Sequence, residues 1–121
     1  MTTGWIPYTY SNEKDANGEY KNAIYVKNLK LDTSDDYCRI YCYETKAAVP
    51  PGGSAPGYTK GTTMGTHFTM TDLSSNGTYY YKFTPTKALY NSIKYVRLSL
   101  VYKDSNGEFG KPIITFGEPI E

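Results

Sequence analysis

Histidine occurs once in these 121 residues, tryptophan once and cysteine twice. A structural zinc site takes four Cys or His ligands, which two cysteines and one histidine do not supply. An excess of one charge is also missing. Lys and Arg number 13 against 12 Asp and Glu, for a formal charge of +1. That balance argues against a nucleic-acid binder held by phosphate contacts and against a basic membrane-surface module. No apolar run approaches the roughly 18 residues of a membrane span. The opening residues, Met-Thr-Thr-Gly-Trp-Ile-Pro-Tyr, carry neither a basic nor an apolar signal region, so no signal peptide is expected. Gly-x-Ser-x-Gly, His-Glu-x-x-His and Gly-rich phosphate loops are absent. His67 shares its alternation with Thr63, Gly65 and Thr69, which marks an exposed strand position. The acids Asp15, Asp35, Asp36, Asp72 and Asp104 fall in turns rather than on strand faces lining a cleft. Neither catalysis nor a cofactor is expected.

What is present is tyrosine, 14 of 121 residues, with 11 Gly and 7 Pro as punctuation. Period-two alternation of apolar and polar residues marks strands at 5–10, 19–31, 37–45, 62–70, 78–84, 93–103 and 112–117. Pro7 has no N–H and confines the first strand to a sheet edge. The apolar parity switches between Val26 and Leu29, which predicts a bulge or bend at Lys27-Asn28. Residues 85–92 could form one helical turn, with Thr84 as cap and Pro85 first. One domain spanning 1–121, all-β with about seven short antiparallel strands, points to a two-sheet sandwich of immunoglobulin or fibronectin-III type. A small barrel is the alternative. Its core should centre on Ile24, Val26, Ile40, Phe68, Phe83, Val96, Leu98 and Leu100.

Asn-Gly occurs at 17–18, 76–77 and 106–107, the pair that tight hairpin turns favour because both residues tolerate positive φ. The turns at 14–20 and 103–109 nearly repeat each other. Asp15, Asn17 and Glu19, or Asp104, Asn106 and Glu108, could offer oxygens to calcium, but neither turn continues as an EF-hand loop and Asx-turn chemistry explains them. Residues 46–61 hold three Pro and four Gly, read as neither strand nor helix, and form a candidate contact loop that includes Tyr58.

Cys38 and Cys42 flank Ile40 on one strand. Four residues apart at about 3.3 Å each, their Cα atoms lie ~13 Å apart, beyond the ~7 Å a disulfide spans. They read as free, inward-facing thiols, which favours a reducing compartment. The opposite face carries Tyr37, Arg39, Tyr41 and Tyr43, and residues 93–103 add Tyr95 and Arg97 on the face opposite Val96 and Leu98. Tyr80 and Lys82 alternate with Tyr79, Tyr81 and Phe83. Should these faces share a sheet, they make an exterior ladder of Tyr with Arg and Lys. Tyr and Arg are enriched at protein–protein hot spots; cross-strand Tyr pairs also simply stabilise a sheet face. Trp5, Tyr8, Tyr37, Arg39, Tyr41, Tyr43 and Tyr58 are therefore the candidate contact residues.

In size, architecture and composition the chain resembles the small immunoglobulin-like proteins that decorate tailed-bacteriophage capsids. That resemblance implies a virion component, assembled in the bacterial host cytoplasm and bound to capsid or neighbouring subunits. Gly4-Trp5-Ile6-Pro7 and Gly117-Glu118-Pro119-Ile120-Glu121 would be terminal arms, ordered with the 46–61 loop against those neighbours. A second resemblance rests on Tyr81-Lys82-Phe83-Thr84-Pro85, Leu89-Tyr90-Asn91 and Tyr102-Lys103-Asp104-Ser105-Asn106-Gly107. These look like the closing half of glycan-binding sandwiches from Bacteroidetes surface proteins. It implies a carbohydrate-binding module, secreted or at the cell surface, although such modules usually present tryptophans and here Trp5 stands at the N-terminus. No nucleic-acid or membrane partner is expected from either.

Overall fold

The computed structural model describes residues 2–9, 11, 13–31, 36–43, 57–58, 68–86, 94–101 and 111–121. They form eight strands: β1 (Ile6–Pro7), β2 (Ile24–Lys27), β3 (Tyr37–Tyr43), β4 (Gly57–Tyr58), β5 (Phe68–Asp72), β6 (Tyr80–Pro85), β7 (Tyr95–Val101) and β8 (Ile113–Phe116). Two four-stranded sheets result, in the orders β1-β7-β3-β4 and β5-β6-β2-β8. Every pairing is antiparallel. This is the expected all-β two-sheet sandwich. No helix among the described residues is long and apolar enough to cross a membrane.

Alternation places the core. Cys38 and Ile40 on β3, Val96, Leu98 and Leu100 on β7, Ile24 and Val26 on β2, Phe68 and Met70 on β5, and Tyr81 and Phe83 on β6 are all buried in one cluster. All eight residues expected at its centre are there. The parity switch after Val26 is also real. β2 stops at Lys27, Asn28 takes a φ of 66°, and Leu29 and Leu31 re-enter the core. Asparagine tolerates that left-handed backbone better than other non-glycine residues. The dipeptide Asn-Gly makes two different turns. At Asn76-Gly77 both φ values are positive (50° and 80°), and Ser75 and Thr78 exchange both backbone hydrogen bonds, closing a two-residue hairpin. At Asn17-Gly18 only the glycine is left-handed, and the Gly18 amide donates to the Asp15 carbonyl.

Three expectations need correction. Gly57 and Tyr58 lie inside the Pro/Gly-rich 46–61 segment yet pair with Arg39 and Cys38, because the outer edge of β3 otherwise presents unpaired backbone groups. The rest of that segment, with the Asn106-Gly107 turn, His67 and Tyr102, lies outside the described residues. Thr84 and Pro85 do not begin a helix. They pair with Thr69 and Phe68 as the last residues of β6; residues 87–93 lie outside the described set.

The terminal segments are the third. They pack on their own sandwich because its sheet edges satisfy their backbone groups. Thr2 pairs with Ser99, Ile6 with Val96 and Pro7 with Tyr95. Four steps from Thr2 to Ile6 thus match three from Ser99 to Val96, a one-residue bulge that bends the first strand along β7. At the other end the Ile120 amide donates to the Tyr80 hydroxyl at 2.8 Å, folding the tail over the second sheet. The end strands also exchange the places they hold in the immunoglobulin layout, where the first strand joins the sheet of β2 and β6 and the last joins the other. Here β1 borders β7 and β8 borders β2.

Candidate functional site

Two outer faces are open to candidate chemistry, and they are built differently. On the second sheet, Tyr25 pairs with Lys82 and is itself buried. Lys82 lies over the Tyr25 ring at 5.7 Å and forms a 3.2 Å ion pair with Glu19. Burial works against the Lys82 charge, but the hydrogen bond to Glu19, with the electrostatic attraction of Tyr25 and Glu19, outweighs it and holds the ammonium above its usual range. The other Glu19 oxygen accepts from Thr84, and Tyr80 accepts from Ile120. A shallow concavity of about 280 Å³ remains between Asp15, Tyr20, Asn22, Tyr25, Lys82 and Gly117. One Asp15 oxygen there accepts from the amides of Asn17 and Glu19. The Glu19 amide above all holds the Asp15 carboxyl below its usual range; desolvation opposes it, and the Asn17 amide and the charges of Lys82 and Lys21 add to the lowering. One Asp15 oxygen and both Glu19 oxygens, considered for calcium, are thus engaged with backbone, lysine and threonine. No cluster of three or more His, Cys, Asp or Glu occurs among the described residues.

The outer face of the first sheet has no such closure among the described residues. With Cys38 and Ile40 turned inward, Tyr37, Arg39, Tyr41 and Tyr43 point outward from β3, all half-buried. Their partners on β7 are Val101, Ser99, Arg97 and Tyr95. This register places Arg39 and Arg97 on a diagonal, since Arg39 faces Ser99 and Tyr41 faces Arg97; such diagonal neighbours are about 7–8 Å apart. Trp5 arrives from the bulged N-terminal segment. Its ring meets Tyr43 edge-on, with centroids 5.3 Å apart and planes at 75°. The Arg97 guanidinium lies 5.9 Å from the Trp5 ring centre, and that of Arg39 lies 4.8 Å from Tyr37. Each arginine is thereby held by a ring face, a contact of about 0.5–2 kcal/mol depending on desolvation.

Among the described residues neither arginine finds an acceptor for its Nε–H, and both of these groups are buried beneath their neighbours. A buried donor left unpaired costs about 1–3 kcal/mol, and most such donors in folded proteins are satisfied.

Five of the seven candidate residues, Trp5, Tyr37, Arg39, Tyr41 and Tyr43, therefore share one face, joined by Tyr95 and Arg97. Tyr80 and Lys82 do not join it: β6 belongs to the other sheet. Tyr8 does not join it either. It is a core residue, with its ring edge-on to Phe68 and Phe116 and its hydroxyl donating to the Asn22 carbonyl at 2.8 Å. Tyr58 is placed by its backbone at the edge of the same sheet. The Lys82–Glu19 closure of the other face has no signal in the sequence, because its partners are 63 residues apart and no local spacing marks them. No known family model, curated protein or solved structure matches the chain.

Proposed function

We propose that this chain is a non-enzymatic binding protein that works through protein–protein contacts made by the outer face of its first sheet. Its role would be that of an auxiliary or decoration protein of a phage capsid. The observation that supports this most is the contrast between the two outer faces. Among the described residues, one is covered by its own ion pair and C-terminal tail; the other presents Trp5, four tyrosines and two arginines with unsatisfied donors. Trp, Tyr and Arg are the side chains that dominate binding energy at protein interfaces, where a partner completes their desolvation. A glycan platform is less well supported. Sugar rings stack on flat, open aromatic faces, whereas Tyr37 and Trp5 carry guanidinium groups and Trp5 crosses Tyr43 at 75°.

Co-expression with phage capsid proteins, followed by sedimentation of assembled particles, tests the proposal. The wild-type chain should travel with the particles, and the Tyr41→Ala/Tyr43→Ala variant should remain in the supernatant while keeping its fold by circular dichroism. A wild-type chain that never enters the particle fraction would refute it.

A further inference from the structure

We propose that the surface received by this face is an acidic segment of a protein, with carboxylates seated on Arg39 and Arg97. The inference rests on the contact role above and names the chemistry of its partner. The two guanidinium groups lie on one diagonal of the β3–β7 ladder, each fixed over a ring. Each keeps a buried Nε–H without an acceptor among the described residues. Among the other described cations, Lys82 is matched by Glu19 and Lys21 by Glu13, Lys14 and Lys30 lie over tyrosine rings, and Lys27, Lys94 and Lys111 have no buried nitrogen without a partner. Arg39 and Arg97 thus differ from these cations: among the described residues they are the pair whose donors are already desolvated and still lack an acceptor.

A guanidinium offers its Nε–H and an Nη–H as a planar fork that matches the two oxygens of a carboxylate. A carboxylate reaches each Nε–H once the side chains that cover it shift aside, and occupation then satisfies both donors and neutralises two like charges at once. Phosphate chains fit less well. Nucleic acid is held by about 6–10 phosphate contacts, and two arginines on a chain of net charge +1 do not offer that number. An acidic polysaccharide offers the same carboxylates but gains little ring stacking here, because Tyr37 and Trp5 carry guanidinium groups on their faces.

The single tryptophan makes this testable at the site itself, because Trp5 lies over Arg97. Its fluorescence should change on titration of the full chain with poly-L-glutamate at low salt. Arg39→Gln or Arg97→Gln should weaken that binding about tenfold, the size expected for losing one charge-assisted pair. Arg39→Lys and Arg97→Lys should restore it only in part, since lysine keeps the charge and loses the fork. Polygalacturonate and oligo-dT should bind more weakly than poly-L-glutamate; tighter binding of either would overturn the protein assignment. A poly-L-glutamate response absent in the wild type, or unchanged in both glutamine variants, would overturn the carboxylate assignment.

The sedimentation experiment separates this inference from the role on which it rests. If Arg39→Gln/Arg97→Gln stays with particles that Tyr41→Ala/Tyr43→Ala leaves, the face binds but not through carboxylates. If both variants stay, the contact role itself fails.

Discussion

Cys38 and Cys42 show how much one residue's alternation determines. Both are free thiols, Cys38 fully buried and Cys42 half-buried beside the core. Burial pushes the Cys38 thiol far up and that of Cys42 up to about 12 from an ordinary value of 9.0. The folded state therefore retains protons that the unfolded chain gives up above pH 9. Stability from these thiols is complete below the unfolded value and is lost as pH rises from about 9 toward the folded values. Two outcomes are expected. A thiol reagent at pH 8 should find two reactive groups in denatured protein and react far more slowly with the native fold. Denaturant melts should show stability falling between pH 9 and 11, and falling less steeply in Cys42→Ala. A single disulfide in the unreduced protein would contradict the strand register. Tyr8 shows the limit of the same rule. Its closeness to Trp5 in the chain suggests a shared surface, yet alternation puts Tyr8 with Ile6, on the inward side. The signal lies in the parity of residues 5–8 and is obscured by Pro7 and the nearby bulge.

At the scale of the strand, β7 organises the molecule. It pairs with β3 over seven residues, takes the N-terminal segment on its other edge, and sends Val96, Leu98 and Leu100 into the core. Leu98→Ala should cost about 2–5 kcal/mol in denaturant melts, as buried leucine truncations do. A loss below about 0.5 kcal/mol would mean that side chain faces solvent. Both faces of this strand are legible in the sequence alone, because Val, Leu and Leu alternate strictly with Tyr, Arg and Ser. The same holds for β3, whose Arg39–Tyr41–Tyr43 row follows directly from its alternation. Which strands share a sheet does not follow. Tyr80 and Lys82 have the composition of the first sheet's ladder, and only long-range pairing puts β6 beside β2. The two-residue strand β4 is equally hidden. Its pairing is a property of the open edge of β3 rather than of a Pro- and Gly-rich sequence. The exchanged places of β1 and β8 likewise depend on how both ends pack together.

At the scale of the whole molecule, the decisive property is asymmetry between two similar sheets. The Lys82–Glu19 ion pair, the Glu19–Thr84 contact and the C-terminal tail all fall on the second sheet. Among the described residues the first sheet is left with aromatic area and two guanidinium groups whose Nε–H donors lack acceptors. Near-neutral net charge opposes close packing of many copies only weakly, as the proposed decoration role requires. Hydroxyl-radical footprinting of the chain, free and bound to particles, reads the face directly because tyrosines lie on both sheets and Trp5 on the first. Binding should protect Trp5, Tyr41, Tyr43 and Tyr95 while leaving Tyr20 and Tyr80 as reactive as in the free chain. Protection of Tyr20 and Tyr80 with Trp5 and Tyr41 unchanged would place the contact on the other sheet and contradict the assignment.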